Sequence, residues 1–261
     1  MPGYHHVEHV MGMAVSIDVR DDLDAAPGLR DVVAWLHHVD QTFSTYLLDS
    51  PMSRLGRGEL TLRDAGAEIR DVLLRCEELR IVTDGAFDVF VVPAPNGTTL
   101  DPSGFVKGWS VERAAVILEG HGLRCFCINA GGDVVLRGGP DPTGRWRVGI
   151  RHPADPQMLA GTLELTGPAG IATSGTYERG AHIIDPRTGA PTADVASVTV
   201  VGPDLALADA YATTVFVQGL PGLGWLERQP GYEGLVITHD GRQHETPGIG
   251  RLRSAERVGG P

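Results

Sequence analysis

Residues 173–189 read TSGTYERGAHIIDPRTG, and this stretch limits what the chain can fold into more than any other. Gly175, Gly180 and Gly189 let the backbone turn or come close to a ligand. Pro186 fixes its own φ and pushes Asp185 toward extended geometry. Such a segment is poor material for a helix or a central strand. It predicts two short extended pieces, 170–173 and 182–184, joined by a loop rich in hydroxyls and carrying one histidine. Loops of this kind carry function disproportionately, although a decorated hairpin is the plain alternative.

The rest of the chain alternates helical and strand patterns. Leu29, Val32, Val33, Leu36, Val39 and Phe43 recur at helical spacing and deliver Ser44 and Tyr46 at the helix end. A second stripe, Ile69, Val72, Leu73, Cys76, Leu79 and Val82, stops at Asp84-Gly85, a C-cap pair. The segment DPSGFVKG (101–108) is expected as a loop leading into a helix over 109–118. A loop at that place offers unpaired backbone N–H groups to an anion, and Lys107 adds a point charge. Residues 203–218 predict a further helix in which Asp209 and Thr213, four apart, share a face. A carboxylate and a hydroxyl so placed can hold a hard cation, or can simply form an exposed polar stripe. AVSIDV, CFCIN, VVLRG, RWRVGIR and VASVTVV alternate as strands, with AGGD as a tight turn, and predict an antiparallel sheet. A short helix, an edge strand and a frayed tail over 250–261 complete the expectation. With neither a repeat nor a long linker, 1–261 is taken as a single domain.

Charge and composition exclude several classes. At 261 residues and 27.8 kDa the chain is large enough for a sizeable core. A net charge of -11 argues against a general binder of nucleic acid or anionic membrane. No apolar run approaches the ~18 residues that a membrane span needs. Cys76, Cys125 and Cys127 give neither a disulfide framework nor a zinc spacing, and the last two are expected on one face of a buried strand. The first residues show no basic start, no long apolar run and no Leu-x-x-Cys, so no signal peptide or lipobox is read and a cytoplasmic location is expected. His5, Glu8 and His9 fit H-x-x-E-H, a pattern of inverted zinc peptidases that requires a helix. Pro2, Gly3 and Gly12 leave little room for one, which favours solvated histidines.

Six segments taken together carry a resemblance. FSTYLLDSPMSRL (43–55), TDGAFDVF (83–90), DPSGFVKGW (101–109), NAGGDV (129–134), the loop at 173–189 and ADAYAT (208–213) follow one another as in the ApbE family, the FAD:protein FMN transferases. The resemblance spans roughly residues 11–219. It implies an α+β fold, mostly antiparallel sheets with packed helices, in two lobes around a flavin cleft. It further implies Mg²⁺-dependent transfer of FMN from FAD to a Thr or Ser hydroxyl of a target flavoprotein, with release of AMP. FAD contacts would come from Met11, Tyr46, Ala86, Phe87, Asp88, Asp101, Lys107 and Ile183. Mg²⁺ would be held by Asp209, Thr213 and the carbonyl of Gly104, with Asp209 and His182 as the catalytic pair. His182 suits a general base or transition-state stabiliser, since an unperturbed imidazole titrates near neutrality. The chain departs from the family pattern at Gly56, Val106, Trp109, Glu112, Ala181 and Ala212, and by a short VVPAPNGTTL segment. An FAD pyrophosphatase, a non-catalytic FAD-binding protein and the zinc peptidase stand as alternatives.

Overall fold

The computed structural model describes residues 3–140, 143–155, 157–175, 183–192 and 194–254. The chain opens on a hairpin of β1 (Tyr4–Val10) and β2 (Met13–Val19), closed by Met11 and Gly12 at φ 54° and 70°. Two successive left-handed residues give the turn whose twist matches paired strands. The helices α1 (Ala26–Phe43), α2 (Pro51–Gly56), α3 (Ala67–Val82) and α4 (Ser103–Gly120) follow. Next come β3 (Phe126–Ala130), β4 (Asp133–Arg137), β5 (Trp146–Arg151), β6 (Leu159–Leu165) and β7 (Ala169–Gly175). The chain continues through β8 (Ile184–Asp185), β9 (Ala190–Pro191), β10 (Ser197–Gly202), α5 (Leu205–Gln218) and α6 (Pro221–Leu226). Its last elements are β11 (Glu233–Ile237), β12 (Gln243–Glu245) and α7 (Ile249–Leu252).

An antiparallel eight-stranded sheet in the order β1-β2-β3-β4-β7-β10-β11-β12 organises these elements. The fold is α+β, as expected. Because side chains alternate across a strand, each face of the sheet has its own core. Ile17, Phe126, Ile128, Val135, Ala172, Val198 and Val200 face the helices and bury Leu36, Phe105 and Phe216. Val134, Leu136, Ile171, Val201 and Leu235 face the other way, onto Trp146, Ile150 and Leu163 of the β5–β6 hairpin.

Several expectations need correction. The H-x-x-E-H residues lie on β1, so alternation puts His5 and His9 on one face and His6 and Glu8 on the other. His6 and His37 both bond the Glu8 carboxylate, at 3.3 and 3.0 Å, and the helical geometry that the peptidase pattern needs is not met. The helix expected from residue 109 starts at Ser103, so Gly104, Lys107 and Gly108 sit inside α4 and not on a loop before it. RWRVGIR does not join the main sheet; it pairs with β6 in a separate ladder. Ile184 pairs with Pro191 and not with β7, so the segments flanking the 173–189 loop do not form one hairpin. The strand expected at an edge, β11, lies between β10 and β12. Residues 250–254 are tied down: Leu163 bridges Arg253, and Ser254 N–H donates to the Thr162 carbonyl at 2.9 Å. Among the described residues no helix is long and apolar enough to cross a membrane.

Candidate active site

The site is built where α4 and α5 cross the helix-facing side of β4 and β7. The two helices run antiparallel and meet in steps of four residues. Glu112 Oε2 accepts the Leu205 N–H at 3.1 Å, and one turn on Asp209 Oδ2 accepts the Gly108 N–H at 3.2 Å. One further turn along both helices come Gly104 and Thr213. The approach at Gly108 is close enough to require glycine: a Cβ there would lie 2.7 Å from the Leu205 carbonyl oxygen and 3.0 Å from Ala206 Cα. Asp204 caps α5 by accepting the Leu207 N–H at 3.0 Å, which fixes where Asp209 falls. Thr213 Oγ1 lies 3.3 Å from Ser174 Oγ at the end of β7, so a third element reaches the same place.

Lys107 lies between two carboxylates. Its Nζ is 2.7 Å from Asp133 Oδ2 and 3.9 Å from Asp209 Oδ1. Both acids are buried, Asp133 to 1% exposure and Asp209 to 4%. Asp133 Oδ1 accepts the Thr173 N–H at 3.2 Å, tying the acid to the start of the glycine-rich loop. Burial raises the cost of leaving either carboxylate uncompensated, and the Lys107 ammonium beside both offsets part of it. Met11 comes to the same helix: Ser110 Oγ contacts its Sδ at 4.0 Å while donating to the Lys107 carbonyl at 2.8 Å.

The other expected residues lie on segments outside the α4–α5 crossing. A Cβ on Gly104 would stand 3.6 Å from the buried Phe87 ring, which places the 86–88 segment beside the α4 N-terminus. Ala86 and Phe87 are buried, and the half-buried Asp88 accepts the Phe90 N–H at 2.8 Å. Asp101 donates its N–H to the Val89 carbonyl at 2.9 Å and accepts from Ser103 N–H at 3.0 Å, so it closes the entry to α4. Ile183 packs on the helix-side core, and its carbonyl accepts the Thr192 N–H at 3.0 Å. Tyr46 is the open one, 71% exposed, on a turn where Ser44 Oγ accepts its N–H at 3.3 Å. The loop after Ile183 folds back through Asp185, which takes Arg187 in two bonds of 2.9 and 2.8 Å. Those bonds hold the Asp185 carboxyl below its ordinary value. Arg187 Cγ would stand 3.5 Å from a Cβ on Gly85, so this loop rests over the end of α3. His182 falls in 176–182, outside the described residues.

Sequence reasoning singled out Lys107 and Asp209 but passed over Asp133 and Ser174. The signal for Asp133 is its place in NAGGDV, one of the six segments that carry the resemblance, where the tight turn gives the acid no role of its own. Burial pushes the thiols of Cys76 and Cys127 up to about 12, which disfavours a reactive thiolate at either position.

Comparison with known proteins gives a consistent match. The model of the ApbE family matches residues 11–96 and 91–236. A FAD:protein FMN transferase of Rhodobacter capsulatus is 36% identical over 169 residues, 60% of this chain and 32% of that protein. One from Vibrio cholerae is 29% identical over 237 residues, covering 70% and 71% of the two chains. The chain spans 45% of the Klebsiella pneumoniae relative, at 30% identity over 156 residues and 56% of this chain. Two solved structures share the fold. The flavin transferase ApbE of Vibrio cholerae has a TM-score of 0.79 at 24% identity, covering 96% of this chain and 100% of that one. The ApbE protein of Thermotoga maritima has a TM-score of 0.82 at 20% identity, covering 97% and 100%.

Proposed function

The chain belongs to the ApbE family, and from that premise we propose that it is a Mg²⁺-dependent FAD:protein FMN transferase. Its relatives carry the name FAD:protein FMN transferase. The observation that carries the reading is the convergence of Asp209, Thr213 and Lys107 beside the glycine-rich loop.

The donor set fits a hard cation. Asp209 supplies a buried carboxylate, Thr213 a hydroxyl one helical turn away, and Gly104 a carbonyl on the facing helix. Among the described residues no cluster of three or more His, Cys, Asp or Glu is arranged to hold a metal. An ion held through one carboxylate, one hydroxyl and one carbonyl needs no such cluster, because Mg²⁺ keeps several waters and substrate oxygens. When bound, Mg²⁺ supplies charge neutralisation on the pyrophosphate of FAD.

The protein's own residues do the rest. Lys107 presents its ammonium to the same phosphates. Met11, Tyr46, Ala86, Phe87, Asp88, Asp101 and Ile183 line the remaining length of FAD, with the buried 86–87 pair offering backbone rather than side chain. The hydroxyl oxygen of an acceptor Thr or Ser bonds to the phosphorus of the FMN half. The P–O bond to the AMP half breaks, AMP leaves with the bonding electrons, and His182 takes the hydroxyl proton. Alignment of nucleophile and leaving group supplies much of the rate in such a displacement.

Incubation with FAD, Mg²⁺ and a candidate flavoprotein tests the reading. FMN covalently fixed to the partner's Thr or Ser, with AMP released in equal amount, is the expected result. Free FMN plus AMP marks a pyrophosphatase, and intact FAD marks a binding protein.

A further inference from the structure

Ser174 has no part in the chemistry proposed above, yet it touches a residue of the metal set. Alternation along β7 turns it toward the helices. Ala172, two residues earlier, lies in the helix-side core, and Ile171 lies in the core beneath the β5–β6 hairpin. Ser174 stands opposite Val198 of β10, so the strand ladder fixes where its hydroxyl can reach. The side chain is buried, and its Oγ lies 3.3 Å from Thr213 Oγ1 on α5.

Two adjacent threonines of α5 use their hydroxyls differently. Thr214 Oγ1 donates to the Ala210 carbonyl at 2.8 Å, the bond to the preceding turn that a helical threonine commonly makes. Thr213 reaches off the helix, to a residue of the sheet. A hydroxyl carries one proton and two lone pairs. An oxygen that gives a lone pair to a cation must direct its proton elsewhere, and the cation's charge makes it a better donor. Ser174 Oγ lies where that proton can go. We propose that Ser174 is a positioning residue for Thr213: it accepts the Thr213 proton and so leaves that oxygen's lone pairs to the divalent cation. The proposal rests on Thr213 being a ligand of the metal. In this role Ser174 touches neither the cation nor FAD; it acts through the threonine.

Mn²⁺ serves as the probe, titrated into the FAD-saturated protein and followed by electron paramagnetic resonance, with circular dichroism as the folding control. Ser174→Ala is expected to weaken Mn²⁺ binding roughly tenfold, the low end of what partners of metal-binding side chains contribute, with metal-free FAD affinity little changed. Thr213→Ala should weaken Mn²⁺ binding at least as much. The double variant S174A/T213A should bind Mn²⁺ as T213A does, because a residue acting through Thr213 has nothing left to position. A Ser174 that only supports β7 gives losses that multiply, and that result overturns the proposal. Folded S174A with wild-type Mn²⁺ affinity overturns it too; if T213A still loses affinity, the metal set stands without Ser174. Should S174A fail to fold, Ser174→Cys decides, since its thiol is a weak acceptor and wild-type Mn²⁺ affinity in that variant overturns the idea. If T213A keeps wild-type affinity, or the FAD-saturated wild type binds no Mn²⁺, the metal set of Asp209, Thr213 and Gly104 is wrong, and the role of Ser174 falls with it.

Discussion

Asp209 carries the only carboxylate in the proposed metal set, so its loss should cost more than that of Thr213. Asp209→Ala is expected to abolish Mg²⁺-dependent AMP release, and Thr213→Ala to raise the Mg²⁺ requirement while leaving turnover measurable. If Asp209 only served the helix crossing by accepting the Gly108 N–H, its substitution would lower stability by about 1–3 kcal/mol, the cost of leaving a buried donor unsatisfied, and the folded protein would keep the wild-type Mg²⁺ curve. Circular dichroism beside an AMP assay separates the two. His182→Ala should keep FAD binding but lower single-turnover rates by ~10²–10⁴-fold, the usual contribution of a general base; an unchanged rate would return the role to Asp185 or a water. Asp185 gives a pH prediction of its own. Its carboxyl lies below the ordinary 3.8 because Arg187 bonds it. The pair therefore contributes stability that is fully present above that value and is lost as pH falls through the depressed one. In Arg187→Met the Asp185 carboxyl should titrate higher than in the wild type by carbon NMR, since the guanidinium bonds are lost while the backbone N–H of residue 187 stays, and an unchanged titration would assign the shift to something other than the guanidinium.

Between elements, the α4–α5 crossing sets the geometry of everything above. Gly108→Ala would push a methyl into the Leu205 carbonyl and Ala206 Cα, backbone atoms that cannot rotate aside. It should cost about 1–3 kcal/mol, as overpacking does, and should also raise the Mg²⁺ requirement by moving Asp209; chemical denaturation and a Mg²⁺ titration would show both or refute the crossing as its determinant. The same crossing explains what the sequence concealed. Gly104 and Gly108 are poor helix formers, and Asp-Pro-Ser before them looks like a loop, so the start of α4 was placed six residues late, at 109 instead of 103. Tertiary contact overrides propensity there: the glycine that weakens α4 in isolation is what admits α5. The long stripes of α1 and α3 were legible because burial of Val32, Leu36, Val39 and of Ile69, Val72, Cys76 requires only local periodicity. Lys107 and Asp209 were legible only through resemblance, and Asp133 was not, since its meaning depends on a lysine on another element.

The molecule as a whole is one sheet between two unlike layers, and alternation could not say which layer a strand would join. RWRVGIR has the same pattern whether it extends the main sheet or lies across it, and only Trp146 and Ile150 packing under Leu136 settles the matter. The C-terminal segment belongs to this second layer. Arg253 bonds Glu245 and Gln243, and Ser254 reaches Thr162 and Glu164. Truncation after Gly248 should therefore raise hydrogen exchange in β5 and β6 while leaving FAD binding intact; loss of FAD binding would show that the two layers are coupled. The unlike layers have a further consequence at β4. Were the strand to slide by a single residue, Asp133 and Arg137 would be thrust among Trp146 and Leu163, stripped of Lys107, Glu112 and Glu119, while Val134 and Leu136 would face the charges. The ion pairs on the helix-facing side thus work as a spelling check on the sheet: a misthreaded chain cannot form them, and a chain that forms them has already been read correctly.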